Sequence, residues 1–327
     1  MTKKTTLTQA SQLIRSARQP LIICHIAPDG DAIGSLVGLG RALSQAGWAP
    51  VMACHDPIPS EFDYVPGIDD VVQDTDAPYD LVITLDCGDE KRLGHWAQKP
   101  GFWDCPLINI DHHVTNEQFG QVNLVDPQAA STAEIVLHLL NHMDIPLDAE
   151  IATSLLVGVI TDTRGLRTNN VTDRVLEGVL QLTRAGASLP YVAYHGLDRR
   201  PTSVIRLWGA GLAQMQIEDR VIWTRISQEA RRAAGFDGTG SASLVSFLVS
   251  SKDADASAVF SEREDGRVEV GFRAVEGFDV AGVALQFGGG GHALAAGCDV
   301  PGPLSEAEAQ ILPVLRAEIA RQRSEQT

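Results

Sequence analysis

No stretch of this 327-residue chain approaches the ~18–20 consecutive apolar residues that a membrane-spanning helix needs. The run "LIIC" (21–24) is broken at once by His25, Pro28 and Asp29, and polar residues follow Lys3 and Lys4. Neither a span nor a signal peptide is expected. The five cysteines, Cys24, Cys54, Cys87, Cys105 and Cys298, are odd in number and form no CxxC pair. That argues against a thiolate zinc site and points to reduced, mostly buried thiols of a cytoplasmic protein. Positive charge is scarce as well: 26 Lys and Arg stand against 42 Asp and Glu, a net charge of −16. Tight binding along a long nucleic acid needs a broad basic surface, so that class is disfavoured. A small anionic substrate remains compatible, provided metal ions or focused Arg and His reverse the local field. There is no internal repeat and no long low-complexity tract.

What is present suits a globular protein. Hydrophobic residues make up 44%, and the length suggests about two domains. The first half alternates strand and helix, with apolar strands at 20–26, 49–54, 80–86 and 106–111 and a helix at 31–47 that stops on Gly47. Continuous apolar strands separated by helices predict a parallel sheet covered on both faces. Further helices are expected at 131–143, 148–161, 172–186 and 188–196. The second half reads differently, with hairpins around Glu218–Arg220 and at Asp265–Gly266 and helices at 241–250, 278–286 and 304–323. The expected fold class is α/β: a parallel-sheet N-terminal domain with flanking helices (1–196), a linker (197–212) opening on the charged "LDRRPTS", and a smaller α+β C-terminal domain (213–327).

Three of the four strands end in residues that ligate metals. The first gives "CHIAPDGD" with His25, Asp29 and Asp31, the third "TLDCGD" with Asp86 and Asp89, and the fourth "NIDHH" with Asp111, His112 and His113. Ligands of an open parallel sheet bind at the carboxyl ends of its strands, so these clusters converge on one crevice. "GVITDTRGLR" adds Asp162 at the end of an apolar helix. Gathering several carboxylates costs several kcal/mol per uncompensated ion, on the order known for buried charges. Divalent cations relieve that cost, and carboxylates with imidazoles and no thiolate suit Mn²⁺ or Mg²⁺ over Fe²⁺ or Zn²⁺. Six ligands fit two metals sharing a bridging Asp, an arrangement suited to in-line displacement at phosphorus. Each motif alone has a plainer reading: DHH as a polar strand end, PDGD as a turn, Asp162 as a helix-end acid, Asp89 as a cap for "DEKRLG". Their combination favours the metal site.

"HIAPDGDAIGS", "TLDCGDEKRLG", "NIDHHVTN" and "GVITDTRGLR" together resemble the four motifs of the DHH phosphoesterases, and "FGGGGHALAAG" resembles the signature of their DHH-associated C-terminal domain. The resemblance covers nearly the whole chain and is nearest to the bacterial oligoribonuclease and adenosine 3′,5′-bisphosphate phosphatase branch. It implies that His25 and Asp29 hold one metal, that Asp31, His112 and Asp162 hold a second, and that Asp86 bridges the two, most favourably as Mn²⁺ and next as Mg²⁺. It implies that Asp111 orients its neighbours and that His113 faces the phosphate and assists the leaving oxygen. Cys87 stands where Ser or Thr is frequent, and Arg164 where Gly is usual, which alters the local loop and offers a phosphate contact.

"GGGGH" (288–292) has no following GK[ST], so it is no Walker A loop, and its forced GxGxxA match lacks a clear preceding strand. Consecutive glycines let a backbone approach phosphate, whereas the plain alternative is a flexible hinge. The resemblance implies that Gly288, Gly289, Gly290, Gly291 and His292 grip the terminal nucleotide, with Arg273 as the guanidinium partner. Ser241 and Ser243 read as helix caps or as lining of the same site; Ser131 and Thr132 read as an N-cap or as a helix N-terminus facing phosphate. His138 and His142 read as an exposed helix face, and Trp208 and Trp223 as packing residues.

The expected activity is therefore metal-dependent hydrolysis of short oligonucleotides to 5′-mononucleotides in the cytoplasm, with the active site in the cleft between the domains. Adenosine 3′,5′-bisphosphate is a further expected substrate. Linear or cyclic dinucleotides are the alternative, and a non-catalytic nucleotide sensor is the alternative of another class. Long nucleic acid and membranes are not expected partners, inorganic pyrophosphate is disfavoured by the second domain, and a homodimer is compatible with the reading.

Overall fold

The apolar runs of the first half become the strands of one parallel sheet. In the computed structural model, which describes residues 3–326, β1 (Pro20–Cys24), β2 (Val51–Ala53), β3 (Leu81–Leu85), β4 (Leu107–Asp111) and β5 (Val122–Val125) lie in the order β2-β1-β3-β4-β5, all parallel. β5 was not expected, because four residues including Asn123 carry too little apolar signal. The helices of this unit are α1 (Lys3–Ser16), α2 (Gly30–Gln45), α3 (Thr132–His142), α4 (Ala149–Asp162), α5 (Asp173–Arg184) and α6 (Leu189–Ala193).

Alternate strand residues serve opposite faces. Ile22, Ile83, Leu85, Ile108 and Ile110 pack with Leu36 and Leu39 of α2, Val136 of α3 and Leu155 of α4. Leu21, Ile23, Val82 and Leu107 point the other way, beneath Leu93, Trp96 and Phe102 from short 3₁₀ turns. Each such burial contributes roughly 1.5–3 kcal/mol. With both faces covered, the strands need no polar alternation, which is why they read as unbroken apolar runs.

α2 and α4 approach each other through glycine. A Cβ on Gly34 would sit 2.5 Å from Gly158 N and from Ser154 O, and one on Gly30 would sit 2.4 Å from Thr161 Oγ1. Position 30 faces 161 and position 34 faces 158, so the helices run antiparallel and the N-terminus of α2 meets the C-terminus of α4. Asp29, Asp31 and Asp162 are carried there.

The chain divides into two units, Met1–Arg199 and Arg200–Thr327. The second contains β6 (Gln216–Glu218), β7 (Val221–Ile226), β8 (Ala256–Glu262), β9 (Arg267–Ala274), β10 (Gly290–His292) and β11 (Ala295–Pro301) in the order β10-β11-β9-β8-β7-β6. β7 and β8 are parallel and the other neighbours antiparallel. One face packs Phe260 and Phe272 against α10 (Ala281–Gln286) and α11 (Leu304–Glu325), and the other packs Ile222 and Val259 against α7 (Thr202–Leu212), α8 (Gln228–Ala234) and α9 (Leu244–Leu248). Residues 197–212, expected as a linker, contain α7, whose Leu207 is fully buried in this second core. Trp223 is also buried, and the Trp208 indole donates to the Ala242 carbonyl at 3.0 Å.

Candidate metal centre

The sheet order changes direction at β1, whose neighbours are β2 on one side and β3 on the other. A crevice opens at the carboxyl end of strands at such a point. His25 lies just past β1 and is almost fully buried. Its Nδ1 meets the Ile26 carbonyl at 2.7 Å. A carbonyl only accepts, so Nδ1 carries the hydrogen and Nε2 is left to face Asp86 Oδ2 at 3.4 Å and Asp29 Oδ1 at 3.8 Å. Asp29 caps α2, its Oδ1 accepting from the Asp31 and Ala32 amides.

Asp86 occupies the centre. It follows β3 at φ 57°, a left-handed conformation that Asp tolerates better than most side chains. One carboxylate oxygen faces His25; the other lies 3.6 Å from His112 Nε2 and accepts from Thr132 Oγ1 at 2.8 Å. His112 Nε2 also lies 3.6 Å from Asp162 Oδ2 and 3.9 Å from Asp31 Oδ2. Asp31 is buried, and its two oxygens accept from the Thr132 and Ala133 amides at 2.6 and 2.9 Å. The N-terminus of α3 thus holds a protein carboxylate, which uses its dipole and two of its free donors. Three sets of ligand atoms gather within 4.8 Å: His25, Asp29 and Asp86; Asp31, His112 and Asp162; and Asp86, His112 and His113.

The charge balance fits divalent cations. Burial first, then the neighbouring Asp86 and Asp162, hold the Asp31 carboxyl well above the usual range. Burial pushes Asp162 up to about 6, against the opposing pull of His112. Burial disfavours charge on His25, but hydrogen bonds to Asp29 and Asp86 outweigh it and raise the imidazole to about 10. Among the described residues no Lys or Arg is ion-paired with these four carboxylates. Hard oxygen donors with two imidazoles and no thiolate match the preferences of Mn²⁺ and Mg²⁺.

Asp111 sits behind the ligands. Buried at the end of β4, its Oδ1 accepts from the His112 and His113 amides and from His113 Nδ1 at 2.7 Å, while Oδ2 accepts from Asn116. Burial opposes its ionisation, but these bonds keep the carboxyl below its ordinary value and raise that of His113. Asp89 caps the turn beginning at Glu90, accepting from the Lys91 and Arg92 amides. Ser131 is the N-cap of α3. His138 faces Glu134 at 3.7 Å, and His142 is exposed. Arg164 is exposed after α4 at φ 51°.

In the second unit, Arg273 on β9 lines a cavity of about 600 Å³ with Gly288, Gly289, Ser241 and Ser243. A Cβ on Gly289 would lie 2.1 Å from the Gly297 carbonyl, so that position tolerates no side chain. Gly290, Gly291 and His292 form edge strand β10 outside this lining, and α10 precedes the glycines. Thr132, expected at a helix start that caps or faces phosphate, makes a contact with Asp86 that the sequence does not signal. Its hydroxyl reaches Asp86 across 46 positions, and no local pattern signals that approach.

The fold and the strand-end carboxylates define a class that comparison with known proteins identifies. The model of the DHH family N-terminal domain matches residues 19–159 and that of the DHHA1 domain matches 219–321. The chain belongs to the DHH family and is a phosphoesterase of that family. It is 32% identical to the bifunctional oligoribonuclease and PAP phosphatase NrnA of Thermus thermophilus, over 95% of this chain and 94% of that protein. Its fold is that of an exopolyphosphatase-related protein from Bacteroides fragilis, with a TM-score of 0.87 at 22% identity, covering 97% of this chain and 98% of the other. RecJ of Thermus thermophilus, solved with Mn²⁺, matches with a TM-score of 0.53 at 16% identity, over 97% of this chain and 55% of RecJ.

Proposed function

We propose that this chain hydrolyses short oligonucleotides to 5′-mononucleotides and also dephosphorylates adenosine 3′,5′-bisphosphate. The observation that carries the chemistry is Asp86, one oxygen facing His25 and the other His112. The substrate class rests on likeness over nearly the full length to a protein named for both activities. In this reading His25, Asp29 and Asp86 hold one ion, and Asp86, Asp31, His112 and Asp162 hold another, Mn²⁺ by preference and Mg²⁺ next. Such ions supply Lewis acidity to the phosphoryl group and to the attacking water. Asp111 fixes the His113 ring through Nδ1, so Nε2 is available to donate to the leaving oxygen. Arg273, Gly288 and Gly289 bind the distal phosphate, with Gly290, Gly291 and His292 on the terminal nucleotide and Arg164 as an additional cation. Among the described residues no helix is long and apolar enough to cross a membrane, and the cysteines are free; the cytoplasm is the setting we propose.

The reading requires Asp86→Asn to lower Mn²⁺-dependent turnover by at least ~10²–10³-fold, the scale of losing a principal charge-stabilising group. Near-normal turnover in that variant sinks it. A panel of dinucleotides through about 20-mers, adenosine 3′,5′-bisphosphate and cyclic dinucleotides under one condition tests the substrate class, the oligomer limit being set by the weak long-strand electrostatics. Dinucleotides and other short strands should turn over fastest. A preference for the longest strands, or for cyclic dinucleotides, overturns the assignment, and no turnover by metal-loaded protein leaves a nucleotide sensor.

A further inference from the structure

Four aromatic rings meet on the first unit, and none has a role in the chemistry above. Tyr64 follows a short turn (60–62), Tyr191 lies on α6, and Tyr194 and His195 open a π-helical turn, Tyr194–Asp198. His195 is the hub: its ring centroid lies 4.1 Å from that of Tyr191, 5.1 Å from Tyr194 and 5.2 Å from Tyr64. Its Nδ1 donates to the Tyr191 carbonyl at 2.9 Å, which fixes the ring and leaves Nε2 for an outside partner. Mutual packing stabilises such rings by ~0.5–1.5 kcal/mol per pair, so the cluster is held in place. Yet Tyr191 and Tyr194 stay 43% and 55% exposed, unlike core aromatics such as Phe260 and Phe272.

The cluster is tied to the metal centre by close packing. A Cβ on Gly196 would lie 2.8 Å from the Tyr64 hydroxyl and 3.3 Å from Thr161 Cγ2. Thr161 precedes Asp162 and fills the space over Gly30, between Asp29 and Asp31. The same turn also abuts Gly165, whose Cβ would meet Leu197 at 3.0 Å. One layer of atoms therefore separates the aromatic turn from the segments that carry three of the carboxylates.

We propose that Tyr191, Tyr194 and His195, backed by Tyr64, form a nucleobase-stacking surface beside the metal centre. The ligand is a purine or pyrimidine ring of the substrate whose phosphate is cleaved. This rests on the oligonucleotide reading above. Every base has a π-face, so stacking is tolerant of sequence. Stacking is also uncharged, which suits a chain of net charge −16 that cannot hold nucleotides by a broad basic surface. Tyrosine supplies rigid contact area at low entropic cost.

The test compares KM for a dinucleotide with KM for analogues made abasic at one or the other residue, using the Mn²⁺-loaded full chain. Tyr191→Ala and Tyr194→Ala should each raise KM for the dinucleotide about 5–10-fold, within the range of one lost stack. That penalty should vanish on one abasic analogue, and Tyr194→Phe should restore near-wild-type KM. Equal penalties on all three substrates, no penalty at all, or a change only in oligomeric state overturns the proposal while leaving the hydrolase reading intact. If wild-type protein does not cleave dinucleotides, that reading fails, and quenching of 2-aminopurine riboside monophosphate decides the surface. Quenching lost in Tyr194→Ala supports it, and quenching unaffected or absent overturns it.

Discussion

His25 and Asp162 store protons that a cation must displace. In the metal-free chain His25 is raised to about 10 and Asp162 to about 6. Metal ligands bind in their deprotonated form, so loading releases protons and apparent affinity rises with pH. Asp31, whose carboxyl is also held well above the ordinary range, joins His25 and Asp162; above about 6 the Asp162 contribution ends, while that of His25 persists up to about 10. The slope of log affinity against pH should therefore fall by about one as pH rises through 6 and stay positive at pH 7. Mn²⁺ titrations in buffers of different ionisation enthalpy measure this directly, and a slope near zero at pH 7 refutes it. The folding sign is the same for the two groups without metal, and only the pH window differs. The raised His25 stabilises the fold below its ordinary value and loses that contribution through pH 10; the raised Asp162 favours the fold at low pH and loses that contribution through pH 6. These residues were legible in the sequence because each ligand directly follows an apolar run or lies within a few residues of one. The bond from Thr132 to Asp86 was not, because the two residues are brought together only by the packing of α3 on the sheet.

At the scale of elements, the site depends on how closely α2 and α4 can approach. A methyl group at Gly34 would collide with backbone atoms Gly158 N and Ser154 O, which cannot rotate aside. One at Gly158 would lie 2.6 Å from the Ala133 Cβ and 2.7 Å from Asp31 Oδ1. Gly34→Ala and Gly158→Ala should each destabilise the unit by ~1–3 kcal/mol, the usual scale of overpacking. For a unit of this size that lowers the midpoint of thermal unfolding by about 2–4 °C per kcal/mol. Gly158→Ala should also weaken Mn²⁺ binding beyond what Gly34→Ala does, because it displaces a carboxylate directly. Equal metal affinity in the two variants contradicts that ordering. The same packing explains which elements the sequence disclosed. β1, β3 and β4 are buried on both faces and announce themselves as apolar runs. β11 does not, since "AAGCDVP" is rich in small residues and owes its strand to seven paired positions on β9. α8 is only seven residues long, and α1 carries its buried Ala10 and Ile14 within an otherwise polar stretch.

At the scale of the whole molecule, the chemistry and the proposed substrate grip fall on different units. Every residue of the three ligand sets lies within Met1–Arg199, and that unit has its own core from Ala10 through Val192. Arg273 and the glycines at 288–291 lie within Arg200–Thr327, which has two apolar layers of its own around Phe260 and Leu207. A hydrophobic core within each unit is the condition for independent folding. Residues 1–199 expressed alone should therefore fold cooperatively and bind Mn²⁺ with the stoichiometry of the full chain. Calorimetric titration and thermal unfolding provide the check. The isolated unit should lose most of its discrimination between short oligonucleotides and simple phosphodiesters, because the residues proposed to grip the substrate's far end are gone. It should keep the Tyr194-dependent preference for a base next to the cleaved phosphate, because that surface belongs to the same unit as the ligands. Loss of metal stoichiometry in the isolated unit would place a ligand outside Met1–Arg199. Unchanged discrimination would remove Arg273 and the glycine loop from substrate selection.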